Sequence, residues 1–319
     1  MLHNEMAQKN SNEKILVIKL SALGDFMQAL GAMKAIKHFH KDAHITLLTT
    51  KAFKSLAEKS GYFNEIILDS KPGFFDFKGW LELRKFFANS GFIRVYDLQN
   101  NDRTGLYFRL IPAKKKPEWV GAVKGASHAN LSPERTKGHA FDGHVMTLGK
   151  AGLDNVEVDD LSWIQEDISE FGLEGKTYML CVPGCSPQHP QKRWPPGYYA
   201  EVLKGLQSQG IQTVLLGTAA DEDVTSKIKD LSPDTLDLTG KTSLFQIITL
   251  AQGAKFALGN DTGPMHMIAP TGCPSLVLFS GYSNPVRHRP LGKKVEVLQK
   301  QNLCDLHIDD ISQKLGQLI

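Results

Sequence analysis

Apolar positions along the chain fall into short unbroken runs separated by longer amphipathic stretches. Ile15 to Leu20 reads ILVIKL, nearly all apolar and β-branched, the pattern of a strand buried on both faces. After the turn SALGD, the stretch QALGAMKAIKHFH places Leu30, Met33, Ile36 and Phe39 at helical spacing, and HITLLTT then reads as a second buried strand. Strand, helix and strand in that order predict a βαβ unit and a parallel sheet. IIL at 66–68 and RVYDLQ at 94–99 continue the strands, with a helical WLELRKFFA between them. From Lys114 to Gly143 the periodicity fades into Lys, Pro, Gly, Ser and His, which predicts loops and short elements. A helix follows near Gly143–Gly152, and a linker is expected near 160–175.

A second alternating series then begins. YMLCVPG is a strand, GYYAEVLKGLQSQG a helix closed by Gly210, and IQTVLLGT a strand. DEDVTSKIKDL and SLFQIITLAQGA read as helices, KFALGND as a strand, GPMHMIAPTG as a short helix start and PSLVLFSG as a strand. IDDISQKLGQLI, at 308–319, reads as a terminal amphipathic helix. The prediction is two α/β domains in series, divided at 1–165 and 166–319, with no internal sequence repeat.

Composition narrows the class. A chain of 319 residues with 41% hydrophobic and 22% charged residues is an ordinary globular one, not a disordered tail, a fibre or a disulfide-stapled miniprotein. Lys+Arg 37 against Asp+Glu 34 gives +3, which names no polyanionic partner and no nucleic acid. No apolar run approaches the roughly 18 residues of a membrane span. The polar opening MLHNEMAQKNSNEK has no signal-peptide core, so a cytoplasmic location is expected. Cys181, Cys185, Cys273 and Cys304 form no CxxC pair and read as reduced thiols.

In folds of this kind ligands bind at the carboxyl ends of the strands, so the residues just after each strand are the candidates. Asp25, in the turn after the first strand, is either a first-turn acid matching the helix dipole or a general base near a reacting hydroxyl. The GxGxxG fingerprint is absent from that turn, which disfavours NAD. PGCSPQHPQKRWPP, 183–196, offers Ser186 and the pair Lys192-Arg193, suited to a phosphate or to a solvated Pro-rich loop. In LLGTAADEDV, Asp221, Glu222 and Asp223 could ligate a metal as DxD, hold ribose hydroxyls, or simply match the helix dipole. Most specific is Gly259-Asn260-Asp261-Thr262-Gly263-Pro264-Met265-His266. There Gly263 permits close backbone approach, Pro264 suits a helix start, free N–H groups would face a diphosphate, and His266 falls in the first turn. The histidines at 38, 40 and 44, and at 128, 139 and 144, match no zinc spacing. Lys114-Lys115-Lys116 is a solvated face or a contact for anionic lipid headgroups.

VIKLSALGD, YDLQ at 96–99, the PG-S…KRWP loop, LLGTAADED, LTGKTSLFQIITL and GNDTGPMHMIAPTGCPSLVLF together resemble glycosyltransferase family 9, the ADP-heptose:lipopolysaccharide heptosyltransferases, from Ile15 to about Gly281. The resemblance implies a GT-B fold, two Rossmann-like domains facing across a cleft. The acceptor would lie mainly on the first domain, the nucleotide sugar on the second, and the terminal helix would pack back on the first. It implies an inverting glycosyltransferase that needs no metal and no cofactor, only a nucleotide-sugar donor, ADP-heptose. The acceptor would be a lipid A/core oligosaccharide, reached at the cytoplasmic face of the inner membrane.

Residue by residue the resemblance gives Asp25 as catalytic base, with Ser21 and Gly24 on the acceptor side. It gives Lys192 to the donor phosphates, Glu222 to the ribose, and Asp261, Thr262, Gly263 and His266 to the diphosphate and sugar. Ser186 and Gln188 fall in the phosphate loop. Where the family has an alanine-rich stretch after the histidine, this chain has Pro270, which should shorten that helix. The competing readings are a transferase of another nucleotide sugar or acceptor, a nucleotide-sugar epimerase, and a non-catalytic nucleotide-sugar-binding subunit.

Overall fold

A computed structural model describes residues 13–186 and 188–318. Most of the polar opening segment, Pro187 of the basic loop and the last residue of the expected terminal helix lie outside them. The chain divides into two units, Met1–Glu157 and Val158–Ile319.

In the first unit the elements are β1 (Lys14–Ile18), α1 (Leu23–Phe39), β2 (His44–Thr49), α2 (Lys54–Ser60), β3 (Glu65–Leu68), α3 (Phe77–Asn89), β4 (Arg94–Asp97), α4 (Asp102–Leu110), β5 (Glu118–Gly121), β6 (His128–Ala129), α5 (Glu134–Lys137) and α6 (Ala140–Gly149). All pairings are parallel, in the order β3-β2-β1-β4-β5-β6. β1 is buried on both faces, which is why Ile15 to Ile18 are all apolar. One core holds Leu16, Ile18, Leu48, Leu83, Phe87, Tyr107, Phe108 and Trp119.

In the second unit they are β7 (Tyr178–Val182), α7 (Pro196–Gln207), β8 (Gln212–Leu215), α8 (Glu222–Leu231), β9 (Leu236–Asp237), α9 (Leu244–Gly253), β10 (Phe256–Asn260), α10 (Met265–Ile268), β11 (Ser275–Ser280), α11 (Pro285–His288), β12 (Val295–Lys300) and α12 (Ile308–Leu318). The order β12-β11-β10-β7-β8-β9 is the same doubly wound order, again all parallel. The α/β class with two Rossmann-like domains is therefore present. Each sheet reverses its winding at one point, between β1 and β4 and between β7 and β10, and a ligand crevice belongs there.

Three expectations change. The stretch 114–143 is not merely loops: Glu118–Gly121 and His128–Ala129 complete the first sheet, and Trp119 is fully buried. The boundary falls at 157/158 rather than 165/166. Residues 158–166 belong to the second unit because Gln252 Nε2 of α9 donates to the carbonyls of Leu161 (3.2 Å) and Ile164 (3.0 Å), and Thr249 Oγ1 accepts from the Glu166 N–H (2.9 Å). The apolar face of the terminal helix packs into the core of its own unit. Ile311, Leu315 and Leu318 join the second unit's core with Leu203, Leu206, Leu276 and Leu278, against α7 and β11. As expected, α10 stops at Ile268, with a 3-10 turn carrying Pro270 after it.

Candidate active site

At the first reversal point, β1 runs into Lys19-Leu20-Ser21-Ala22 and then α1. Gln99, just past β4, holds this turn: its Oε1 accepts the N–H groups of Leu20 (2.8 Å) and Ser21 (3.1 Å). Asp25 sits in the first turn of α1, half-buried, and accepts the Ala22 N–H at 3.3 Å. The helix-start role foreseen for Asp25 is thus real, and the same position sets its carboxylate at the carboxyl end of β1. Ser21 and Gly24, the acceptor-side candidates, flank it and are half-buried.

The sequence reading passed over two buried charges here. Lys19 directly follows β1 in an otherwise apolar run, and its Nζ donates to the Leu98 carbonyl at 3.3 Å. Burial pulls its pKa down, while the nearby Asp25 and Asp97 carboxylates oppose that shift. Asp97 ends β4 and is 1% exposed. Burial pushes its pKa from 3.8 up to about 6, against the opposing effect of the Asn100 and Gln99 N–H groups, Thr104 and Lys19. Lys19, Asp25 and Asp97 form one charge cluster. Its only sequence signal was a lysine inside an otherwise apolar run.

At the second reversal point, the loops after β7 and β10 are tied together by Asn260, which is fully buried. Its Nδ2 donates to the Pro183 carbonyl at 2.6 Å, and its Oδ1 accepts from the Trp194 N–H (3.2 Å) and the Tyr199 hydroxyl (2.9 Å). Trp194 is itself anchored by its Nε1, which donates to the Leu306 carbonyl at 3.0 Å. Gly259 lets the two strand ends meet, since a Cβ there would lie 2.9 Å from Val182 Cβ and from its carbonyl oxygen.

The result brings Lys192 onto Asp261, Nζ to Oδ2 2.9 Å, with only 19% and 9% of their side chains exposed. Ser283, beyond β11, completes the group. It accepts from Lys192 at 3.1 Å and donates to Asp261 through a short hydrogen bond. Nothing in the local sequence marked Ser283, which reaches the site only through the sheet order. Thr262 and Gly263 follow, half-buried, and their N–H groups donate to no described atom. His266 is buried in α10, its backbone N–H bonded to the Gly263 carbonyl at 3.0 Å. Because α10 is a single turn, the anion-binding capacity lies in those N–H groups rather than in a helix dipole.

The three acids after β8 separate in role. Asp221 is buried, and its Oδ2 accepts from the Thr218 N–H (3.0 Å) and hydroxyl (2.8 Å). Asp223 pairs with Arg193 at 3.1 Å, and Arg193 also lies 3.6 Å from Asp221. Glu222 has no described side-chain partner and lines an open pocket of about 660 Å³ with Arg193, Asp223, Ala219, Ala220 and Ser226. Asp221 and Asp223 are thus both paired within the protein, and Glu222 is the one of the three whose side chain has no described partner. Ser186 is exposed; its hydroxyl donates to the Gln188 side chain, and its carbonyl accepts the His189 N–H at 2.9 Å.

Twin doubly wound sheets, each with polar residues gathered at its reversal point, are the two Rossmann-like units of a GT-B fold. The comparisons with known proteins narrow this. The profile of the family described as glycosyltransferase family 9 (heptosyltransferase) matches residues 81–315, and the chain belongs to that family. It is 26% identical over 313 residues to lipopolysaccharide heptosyltransferase 2 of Salmonella typhimurium, covering 90% of this chain and 88% of the relative. A putative glycosyltransferase of Haemophilus influenzae is 35% identical over 311 residues, covering 88% and 86%. In fold, the chain is similar to the Escherichia coli ADP-heptose lps heptosyltransferase II structure, with a TM-score of 0.75 at 22% identity over 96% of this chain and 98% of that one.

Proposed function

We propose that this enzyme transfers a heptose from ADP-heptose to an inner-core sugar of lipopolysaccharide, with inversion and without a metal. The observation that carries the donor half is the convergence of Lys192, Asp261 and the free N–H groups of Thr262 and Gly263 at the second reversal point. A nucleoside diphosphate is what a lysine and unpaired backbone donors suit. Glu222 holds the ribose at the pocket mouth. The relatives named for lipopolysaccharide and ADP-heptose support the sugar and the acceptor class. A lipid-linked acceptor would bring the enzyme to the cytoplasmic face of the inner membrane, and no helix of the described residues is long and apolar enough to cross one.

In the proposed step the acceptor hydroxyl oxygen attacks the anomeric carbon as its proton passes to Asp25. The bond to the donor phosphate breaks, and its electron pair leaves with ADP. Charge gathering on the diphosphate is met by Lys192 and the Thr262 and Gly263 N–H groups, in the role a metal has elsewhere. Asp25 is kept near its neighbours by the turn that Gln99 fixes, and Lys19 and Asp97 set the field around it.

The test is to incubate the protein with ADP-heptose and a truncated core acceptor in EDTA, following acceptor mass and ADP release. A gain of one heptose is expected. Asp25→Asn should lower kcat about 10²–10⁴-fold with donor affinity unchanged. Asp25→Asn turning over at the normal rate would remove the base assignment. Conversion of the donor without an acceptor would favour the epimerase reading. Donor binding with no transfer would point to another acceptor, and no donor binding to another sugar.

A further inference from the structure

Three phenylalanines between β3 and the start of α3 are nearly naked: Phe74 is 86%, Phe75 81% and Phe77 78% exposed. A buried aromatic side chain removes roughly 150–250 Å² from water, so leaving three together in solvent forgoes a large stabilisation. The backbone that carries them is pinned. Asp76 caps α3 through the Gly79 N–H at 2.9 Å, and a Cβ on Gly79 would meet that carboxylate. Trp80 Nε1 donates to the Gly73 carbonyl at 2.9 Å, and Arg103 donates to the Pro72 carbonyl at 3.4 Å. The Lys71 N–H donates to Asp69, which in turn accepts from the Tyr107 hydroxyl at 2.7 Å. The segment is held in shape with its rings pointing outward.

The surroundings are basic. Between Lys71 and Lys85 lie Lys71, Lys78, Arg84 and Lys85 against Asp76 and Glu82, four charges against two. All four cations are exposed, and none forms an ion pair with a described residue. Phe77 and Leu81 stand one turn apart on α3, and Lys78, Leu81, Lys85 and Asn89 fall on one stripe of that helix. At its far end Lys115 Nζ donates to Asn89 Oδ1 at 3.5 Å, which brings Lys115 to the end of that stripe with the exposed Lys114 beside it in sequence, whereas the Lys116 ammonium sits 3.8 Å from the centre of the Phe108 ring. A helix of this length spans about 20 Å. An aromatic tip with a basic track behind it matches the boundary of an anionic bilayer, where rings enter the headgroup region and lysines meet lipid phosphates.

We infer that Phe74, Phe75 and Phe77 insert into an anionic membrane surface, with Lys71, Lys78, Lys85, Lys114 and Lys115 bound to its headgroups. This docking deepens the lipid-acceptor reading and rests on it for its purpose, but its physics can be tested apart from the chemistry.

The experiment is flotation of the full chain, without donor or acceptor, on vesicles of pure phosphatidylglycerol and of pure phosphatidylcholine. Binding to phosphatidylglycerol that weakens with salt is expected. The Phe74→Ser/Phe75→Ser/Phe77→Ser variant should lose it by at least about tenfold. Lys78→Gln and Lys85→Gln should each weaken it about fivefold, near the worth of one charge at such a surface. The triple variant should keep the wild-type thermal midpoint and its rate on a water-soluble acceptor lacking acyl chains, so lost binding cannot be misfolding. Three results would overturn the inference: wild-type protein that floats with neither vesicle, a triple variant that floats like the wild type, or a wild-type dimer in gel filtration that the triple variant dissolves with no vesicle binding. A transferase that fails on the core acceptor but floats as described would sink the chemical reading and leave the surface standing.

Discussion

Asp97→Asn isolates one buried charge. The Asp97 carboxyl is 1% exposed, and its pKa rises from 3.8 to about 6 on folding. A rise from 3.8 to about 6 is worth about 3 kcal/mol, and water does not reach the carboxyl to screen it. The sign follows from which state holds more protons. Between pH 4 and 6 the folded Asp97 is protonated more often than the unfolded one, so its contribution to stability is present below about pH 4 and lost as pH rises through about 6. The asparagine variant does not titrate there, and its Oδ1 can still accept the Gln99 and Asn100 N–H groups. Urea unfolding of both proteins at intervals from pH 4 to pH 8 should therefore show the stability of the wild type relative to the variant falling by about 3 kcal/mol and levelling above pH 7. A flat difference across that range would refute the reasoning. It would mean that Lys19 and the backbone donors keep Asp97 ionised throughout.

Two further substitutions test the second unit. Lys192→Met removes the cation from Asp261 and should weaken binding of a nucleoside diphosphate about 10–100-fold, the worth of one or two charge-assisted hydrogen bonds; titration calorimetry that shows unchanged affinity would detach Lys192 from the donor. Asn260→Ala deletes three buried hydrogen bonds and strands their partners, at about 3 kcal/mol, so the thermal midpoint of the second unit should fall by roughly 6–12 °C.

Much of this was visible before any coordinates. β1, β2, β7 and β10 are buried and largely apolar because helices cover both faces of a parallel sheet, and that burial writes itself into sequence as ILVI or FALG. The Asp-Thr-Gly-Pro turn was legible for a related reason, since few other requirements put those residues after a buried strand. β5 and β6 escaped because they lie toward the sheet's edge, are short, and are surrounded by the polar residues of 114–143. Ser283 and Lys19 escaped for another reason. Their partners lie 91 and 79 positions away, at Lys192 and Leu98, and only the crossing order of the strands brings such residues together. The terminal helix is legible as a helix but its packing partner is not, because an apolar stripe says that something covers it and not what.

That helix has a consequence for synthesis. Trp194 follows directly on Lys192 and Arg193 and is locked by the Leu306 carbonyl, and the core beneath it closes only with Ile311, Leu315 and Leu318. On the ribosome the first unit can acquire all its strands once residue 129 has emerged. The second unit must wait for residue 318, with β7, β8 and β10 already made and their apolar faces uncovered. The first unit can therefore close early, while the second closes its core late. In that interval its uncovered strands are open to chaperones and proteases.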